Sequence, residues 1–123
     1  MRLAYFISFF LFISCNNEPE WKYLFNGETL DGWEIKIREH KIGENFKNTF
    51  KVHNGAIKVS YEEYDEFDKK FGHIFYVKEK FKNYHLSLDY KFSGSHLKGA
   101  PGWSVKNSGI MLHCQDPYTM LID

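Results

Sequence analysis

The chain has no excess charge of either sign: 16 Lys and Arg balance 16 Asp and Glu over 123 residues. That balance leaves no electrostatic footprint for a phosphate backbone, and no basic stripe stands out, so nucleic acid is not an expected partner. Cysteine is scarce, with only Cys15 and Cys114, and no paired Cys-x-x-Cys occurs. There is no G-x-S-x-G elbow, phosphate loop or H-E-x-x-H pair, which removes the best-marked hydrolase, nucleotide and zinc-protease signatures. No internal repeat or low-complexity tract is present, and past the first residues no stretch of useful length carries the helical period.

Aromatic residues, by contrast, are abundant, with twelve Phe, eight Tyr and three Trp, or 19% of the chain. They favour strands and also line sugar sites, although packing of a β core accounts for most of them. Hydrophobic content of 43% and charged content of 26% place the chain among globular proteins.

The longest apolar run, Leu3 to Ile13, follows the single basic residue Arg2. It falls short of the roughly 20 residues that a membrane-spanning helix needs. A short apolar core behind a positive start reads as an export signal, here residues 1–14. Phe12-Ile13-Ser14-Cys15 then gives way to the polar Asn16-Asn17-Glu18-Pro19-Glu20. A small residue before cysteine at this point resembles a bacterial lipobox, in which the Cys15 thiol receives a diacylglycerol and the signal is removed. The alternative is a plain secretory signal with an incidental cysteine. The lipobox reading predicts a protein held at the cell envelope by its lipid, on a tether of residues 15–20. It also leaves Cys114 without an internal disulfide partner. Cys114 continues an apolar strand pattern, so a buried, inert thiol is expected there.

From Trp21 onward the pattern is one of short strands and turns. Trp33, Ile35 and Ile37 share one face of a strand, with Glu34 and Lys36 on the other. Asn54-Gly55 between Phe50–Val52 and Ile57–Val59 is a hairpin signal, since both residues tolerate positive φ. Tyr61 to Lys70 is charged and expected to be a mostly exposed loop or single helical turn. His73 to Val77 is a further strand candidate. The clearest alternation is Tyr84, Leu86, Leu88, Tyr90 and Phe92 against His85, Ser87, Asp89 and Lys91. After a Gly- and Ser-containing loop, Trp103 to Cys114 returns to strand. Strands at this spacing predict an all-β antiparallel sandwich or barrel. The run closes at Met120-Leu121-Ile122-Asp123 without a further strand, so residues 21–123 are expected to be the N-terminal part of a truncated domain.

The candidate site residues follow from strand phase. In Asn107 to Gln115, period two places Ile110, Leu112 and Cys114 on a core face and Gly109, Met111, His113 and Gln115 on the other. Glycine inside a strand often marks close approach of a ligand or another backbone. His113 and Gln115 beside it could grip sugar hydroxyls or a metal; the plainer reading is an edge histidine in solvent. His85 and Asp89 stand about 13 Å apart along their strand, too far to share one metal, and read as a solvated face. His73 follows Gly72 at a sheet rim. Trp103, next to Gly99-Ala100-Pro101-Gly102, is either a stacking platform for a sugar ring or a lid over the core. His40, His53 and His96 lie in polar or turn contexts and read as surface.

Three blocks carry a family resemblance. Trp21-Lys22-Tyr23-Leu24-Phe25-Asn26-Gly27-Glu28-Thr29-Leu30-Asp31-Gly32-Trp33 resembles the "LFNGK-L-GW" opening of the 3-keto-disaccharide hydrolase domain. Phe81 to Phe92 is similar to its "F-n-y-L-l-Y-F" strand. Asn107-Ser108-Gly109-Ile110-Met111-Leu112-His113 is similar to its "NSGI" strand. The blocks stand in the family's order over nearly all of the mature chain, and the family continues into a Glu-x-Gln strand beyond them.

The resemblance implies a concanavalin-like jelly roll, export as a bacterial lipoprotein, and cleavage of glycosides oxidised at C3. A 3-keto group acidifies the C2 proton. A base that removes it sets up β-elimination of the C1 oxygen, and addition of water completes a net hydrolysis. Such a site needs a base active near neutral pH and an electrophile for the enolate oxygen, either hydrogen-bond donors or a divalent metal. On this reading His113 is the base or a metal ligand, Asn107, Gln115 and His73 hold sugar hydroxyls, and Trp103 stacks. A non-catalytic glycan-binding or adhesion module on a laminin-G-like sandwich is the competing expectation, because a fold does not set an activity.

Overall fold

A computed structural model describes residues 20–122. The export signal expected at residues 1–14 and the lipidation expected at Cys15 fall outside the described residues. Among the described residues the regular elements are four strands and three single 3-10 turns, with no α-helix, so the class is all-β. No described helix is long and apolar enough to cross a membrane.

Strand β1, Trp33–Ile37, pairs antiparallel with β4, Gly72–Tyr76, in the register Trp33 to Tyr76 through Ile37 to Gly72. Strand β2, Phe50–His53, pairs with β3, Ala56–Val59. The two ladders are separate two-stranded sheets. The hairpin forms where the sequence places it: Asn54 has φ 51° and Gly55 φ 71°, the pair of positive values that a two-residue connection needs to follow the strand twist. The β4 prediction also holds, displaced by one residue.

A small core lies between the sheets. Ile35, Ile37 and Phe50 are buried, with Leu30, Phe46, Ile57 and Ile74 packed around them. Asn45 fixes the entry to β2, its Nδ2 donating to the Phe50 carbonyl at 2.6 Å while its Oδ1 accepts from the Phe50 N–H at 3.0 Å. Lys36, read as an outward residue of β1, is instead only 6% exposed. Its Nζ donates to the Ile37 carbonyl at 3.0 Å, which meets the hydrogen-bond requirement of a buried polar group.

The segment Tyr61 to Lys70 departs from expectation. It is a loop, but Tyr64 and Phe67 are buried. The Thr49 hydroxyl donates to the Phe46 carbonyl at 2.6 Å and lies 2.6 Å from the Tyr64 hydroxyl, closing this loop onto the β2 entry. Edge-on contacts run Tyr61 to Tyr64 at 4.9 Å, Tyr61 to Phe67 at 6.0 Å and Phe67 to Phe71 at 4.9 Å, within the usual spacing for aromatic pairs. Charge dominates the composition of this stretch and hid the aromatics that anchor it.

Neither later strand forms. Tyr84 to Phe92 and Asn107 to Gln115 belong to no ladder, and their residues are exposed. Alternation marks which side chains could share a buried face, but a strand also needs a hydrogen-bonded neighbour and an apolar surface to cover. Among the described residues neither stretch has them. Cys114 is accordingly exposed rather than buried.

Candidate functional site

The two strand-patterned stretches meet at one place. Lys82, Asn83, Tyr84 and His85 face Leu112 and His113 across an open depression of about 570 Å³. His113 has φ 55°, the left-handed region in which histidine is enriched among non-glycine residues. That kink ends the period-two phase on which Gly109, Met111, His113 and Gln115 were to share a face. Gly109 has no atom within 4 Å of where a Cβ would stand, so it is not a point of close approach.

Of the residues given a catalytic, sugar-binding or metal role from the sequence, His113 alone lines the depression. The Asn107 amide is spent on the Trp103 carbonyl at 3.2 Å. Gln115 donates to the Thr119 carbonyl at 3.1 Å and to its hydroxyl at 2.9 Å, bracing a turn over Pro117–Thr119. His73 stands on β4 opposite Lys36, exposed, with its ring 6.2 Å from that of Phe75. Trp103 lies in the turn Gly102–Ser104 with its ring stacked on Phe71. The residue that sequence reasoning missed is His85, set aside as part of a solvated face. Its usable signal was a histidine at the start of the polar face in the block that precedes the His113 block.

The chemistry of the depression is that of two imidazoles, the Lys82 amine and the Tyr84 phenol. Imidazole can take or give a proton near neutral pH, and an ammonium on the same rim suits a developing oxyanion. A divalent metal fits poorly. The lining contains no carboxylate, and no group of three or more His, Cys, Asp or Glu able to hold an ion occurs among the described residues. The expected metal role for His113 therefore has no ligand set around it here.

The sequence matches the family described as the 3-keto-alpha-glucoside-1,2-lyase-like domain over residues 20–121. The match takes in both strand-patterned blocks and both histidines of the depression, and the chain belongs to this family. Comparison with curated proteins and with solved structures returned no match.

Proposed function

We propose that the chain acts on glycosides oxidised at C3 and cleaves them by elimination across C1 and C2, with the depression around His85 and His113 as the reacting site. The observation that carries this reading is the family match over residues 20–121 together with the convergence of His85 and His113 on one depression. One imidazole, assigned to His113, removes the C2 proton. The C–H electron pair becomes the enolate of the C3 ketone, whose oxygen the Lys82 ammonium and the second imidazole stabilise. Collapse of the enolate forms the C1–C2 double bond and expels the aglycone oxygen, which takes up a proton. Water then adds its hydroxyl to C1 and a proton to C2, and the sum is hydrolysis. No step is routed through a metal.

The same proposal includes a jelly-roll sandwich over residues 21–123, and an exported, lipid-anchored protein carrying its acyl chains on Cys15. The lipobox pattern supports the anchor, and the family supports the sandwich.

The test is release of the aglycone from a nitrophenyl 3-keto-glucoside and from its unoxidised parent, with and without chelator. Release from the keto substrate alone is expected, and His113→Ala should lower it by about 100-fold or more. Unchanged turnover in that variant would remove His113 from the mechanism. Release abolished by chelator would bring in a metal that the described side chains do not themselves cage. Absence of release from a range of keto substrates would favour the glycan-binding module.

A further inference from the structure

Trp103 lies outside the depression, yet its setting is unlike that of the other exposed aromatics. Its side chain rests on another ring, and the backbone that carries it is held on both sides. The indole stacks nearly parallel on Phe71, with 7° between the planes and 5.9 Å between ring centres. Phe71 is braced edge-on by Phe67 at 4.9 Å, and Phe67 is buried. The aromatic chain that anchors the Tyr61–Lys70 loop thus runs out to the surface and ends on this indole. The backbone beneath it is a single turn in which the Ser104 N–H and Oγ both donate to the Pro101 carbonyl, at 2.9 and 2.7 Å. The Asn107 amide clamps the Trp103 carbonyl from the far side at 3.2 Å. Held in this way, Trp103 nevertheless remains 64% exposed. That exposure leaves an outer ring face open to a ligand, which supports the stacking reading of this residue.

Polar groups belong to the turn that carries the ring or are bonded to it. Nε2 of His96 lies 3.3 Å from Ser104 Oγ and 3.2 Å from the Pro101 carbonyl. An exposed, flat, apolar face on a turn that also carries a hydroxyl and is bonded to an imidazole suits a pyranose, whose C–H face would meet the negative face of the indole. We propose that Trp103, with His96 and Ser104 next to it, is a binding platform for an unoxidised pyranose unit of a glycan. It shares no lining residue with the depression where the oxidised unit reacts. The platform rests on the carbohydrate part of the functional reading and not on its elimination chemistry. The Phe71 stack orients the indole before a sugar docks, which lowers the ordering cost of binding.

The indole N–H resonances of Trp21, Trp33 and Trp103, assigned with the variant Trp103→Phe, provide the test on the wild-type protein. Titration with a gluco-tetrasaccharide, which lacks the 3-keto group and cannot undergo the elimination, should move the Trp103 resonance. The Trp33 resonance, whose N–H is bonded to the Leu24 carbonyl, should stay still. Trp103→Ala should weaken binding by about tenfold, and Trp103→Phe, which keeps a flat ring, should restore most of it. A Trp103 resonance that does not move, or an equal shift with a short apolar peptide, overturns the platform. So does a folded Trp103→Ala variant that binds as the wild type does. A shift without turnover of the keto substrate keeps the platform and removes the enzyme; turnover without a shift does the reverse.

Discussion

Residues 20–77 and residues 78–122 carry the same kind of sequence and reach different ends. Among the described residues, the first region contains both ladders and every buried aliphatic and aromatic side chain. In the second, Pro117 is the one buried residue described, although it contains the most regular alternation in the chain. The difference shows what patterning can and cannot specify. In the first region each strand meets a hydrogen-bonded partner: Asn54-Gly55 returns β3 onto β2 directly, and β4 returns onto β1 after the hairpin and the Tyr61–Lys70 loop. In the second, Tyr84 to Phe92 has a face and no surface to lay it on. The two regions do touch, through Trp103 on Phe71 and through the Tyr118 hydroxyl, which donates to Glu34 at 3.2 Å.

The sharpest way to break this contrast is to truncate an apolar residue in each region. Ile37 is fully buried, so Ile37→Ala should cost about 2–5 kcal/mol in denaturant unfolding. Leu88 is 56% exposed, and Leu88→Ala should fall within about 0.5 kcal/mol of the parent. Equal costs would mean that Leu88 is buried in solution and that the second region folds further than described.

Glycines sharpen the comparison at a smaller scale. Gly32 has φ +86°, and a Cβ there would land on the Lys78 side chain. Gly32→Ala should therefore cost about 1–3 kcal/mol, read as a lowered melting temperature. Gly109 has open space around it and no positive φ, so Gly109→Ala should leave the melting temperature unchanged; a marked drop would restore the close approach inferred from its strand context.

The smallest effect belongs to Glu62, which accepts hydrogen bonds from Lys51 and Lys58 across the hairpin, at 2.8 and 2.6 Å. These two ammonium groups, with the Ser60 hydroxyl, pull its carboxyl from an ordinary value of 4.5 down to about 2. A lowered value in the folded state means that the ionised form is the stabilising one. Its contribution is present above pH 4.5 and lost as the pH falls toward about 2. Glu62→Gln should lower stability slightly at neutral pH, as befits an exposed pair, and the gap to the parent should close across that window. A gap independent of pH would refute the ionic account.

Much of the first region was legible in the sequence because its signals are local. The positive φ values of Asn54 and Gly55 and the alternation of β1 need no knowledge of distant residues. Lys36 and the Tyr64–Phe67 anchor were not legible, since their burial depends on what packs over them. The site was legible only in part. His113 could be named from its block, but strand phase tied it to Gln115 and Gly109, and the left-handed turn at His113 dissolved that grouping. His85 became visible only once two stretches far apart in sequence were seen to share a depression.

The placement of lysines along the chain has a consequence for resistance to proteolysis. Lys78, Lys80, Lys82 and Lys91 all lie in an exposed stretch that belongs to no ladder, whereas Lys36 is sequestered inside β1. A trypsin-like protease needs an accessible, locally opened backbone, and it finds one immediately behind β4. Digestion would separate the part bearing the proposed reacting histidines from the part bearing the core, so the chemistry would be lost while a folded remnant persisted.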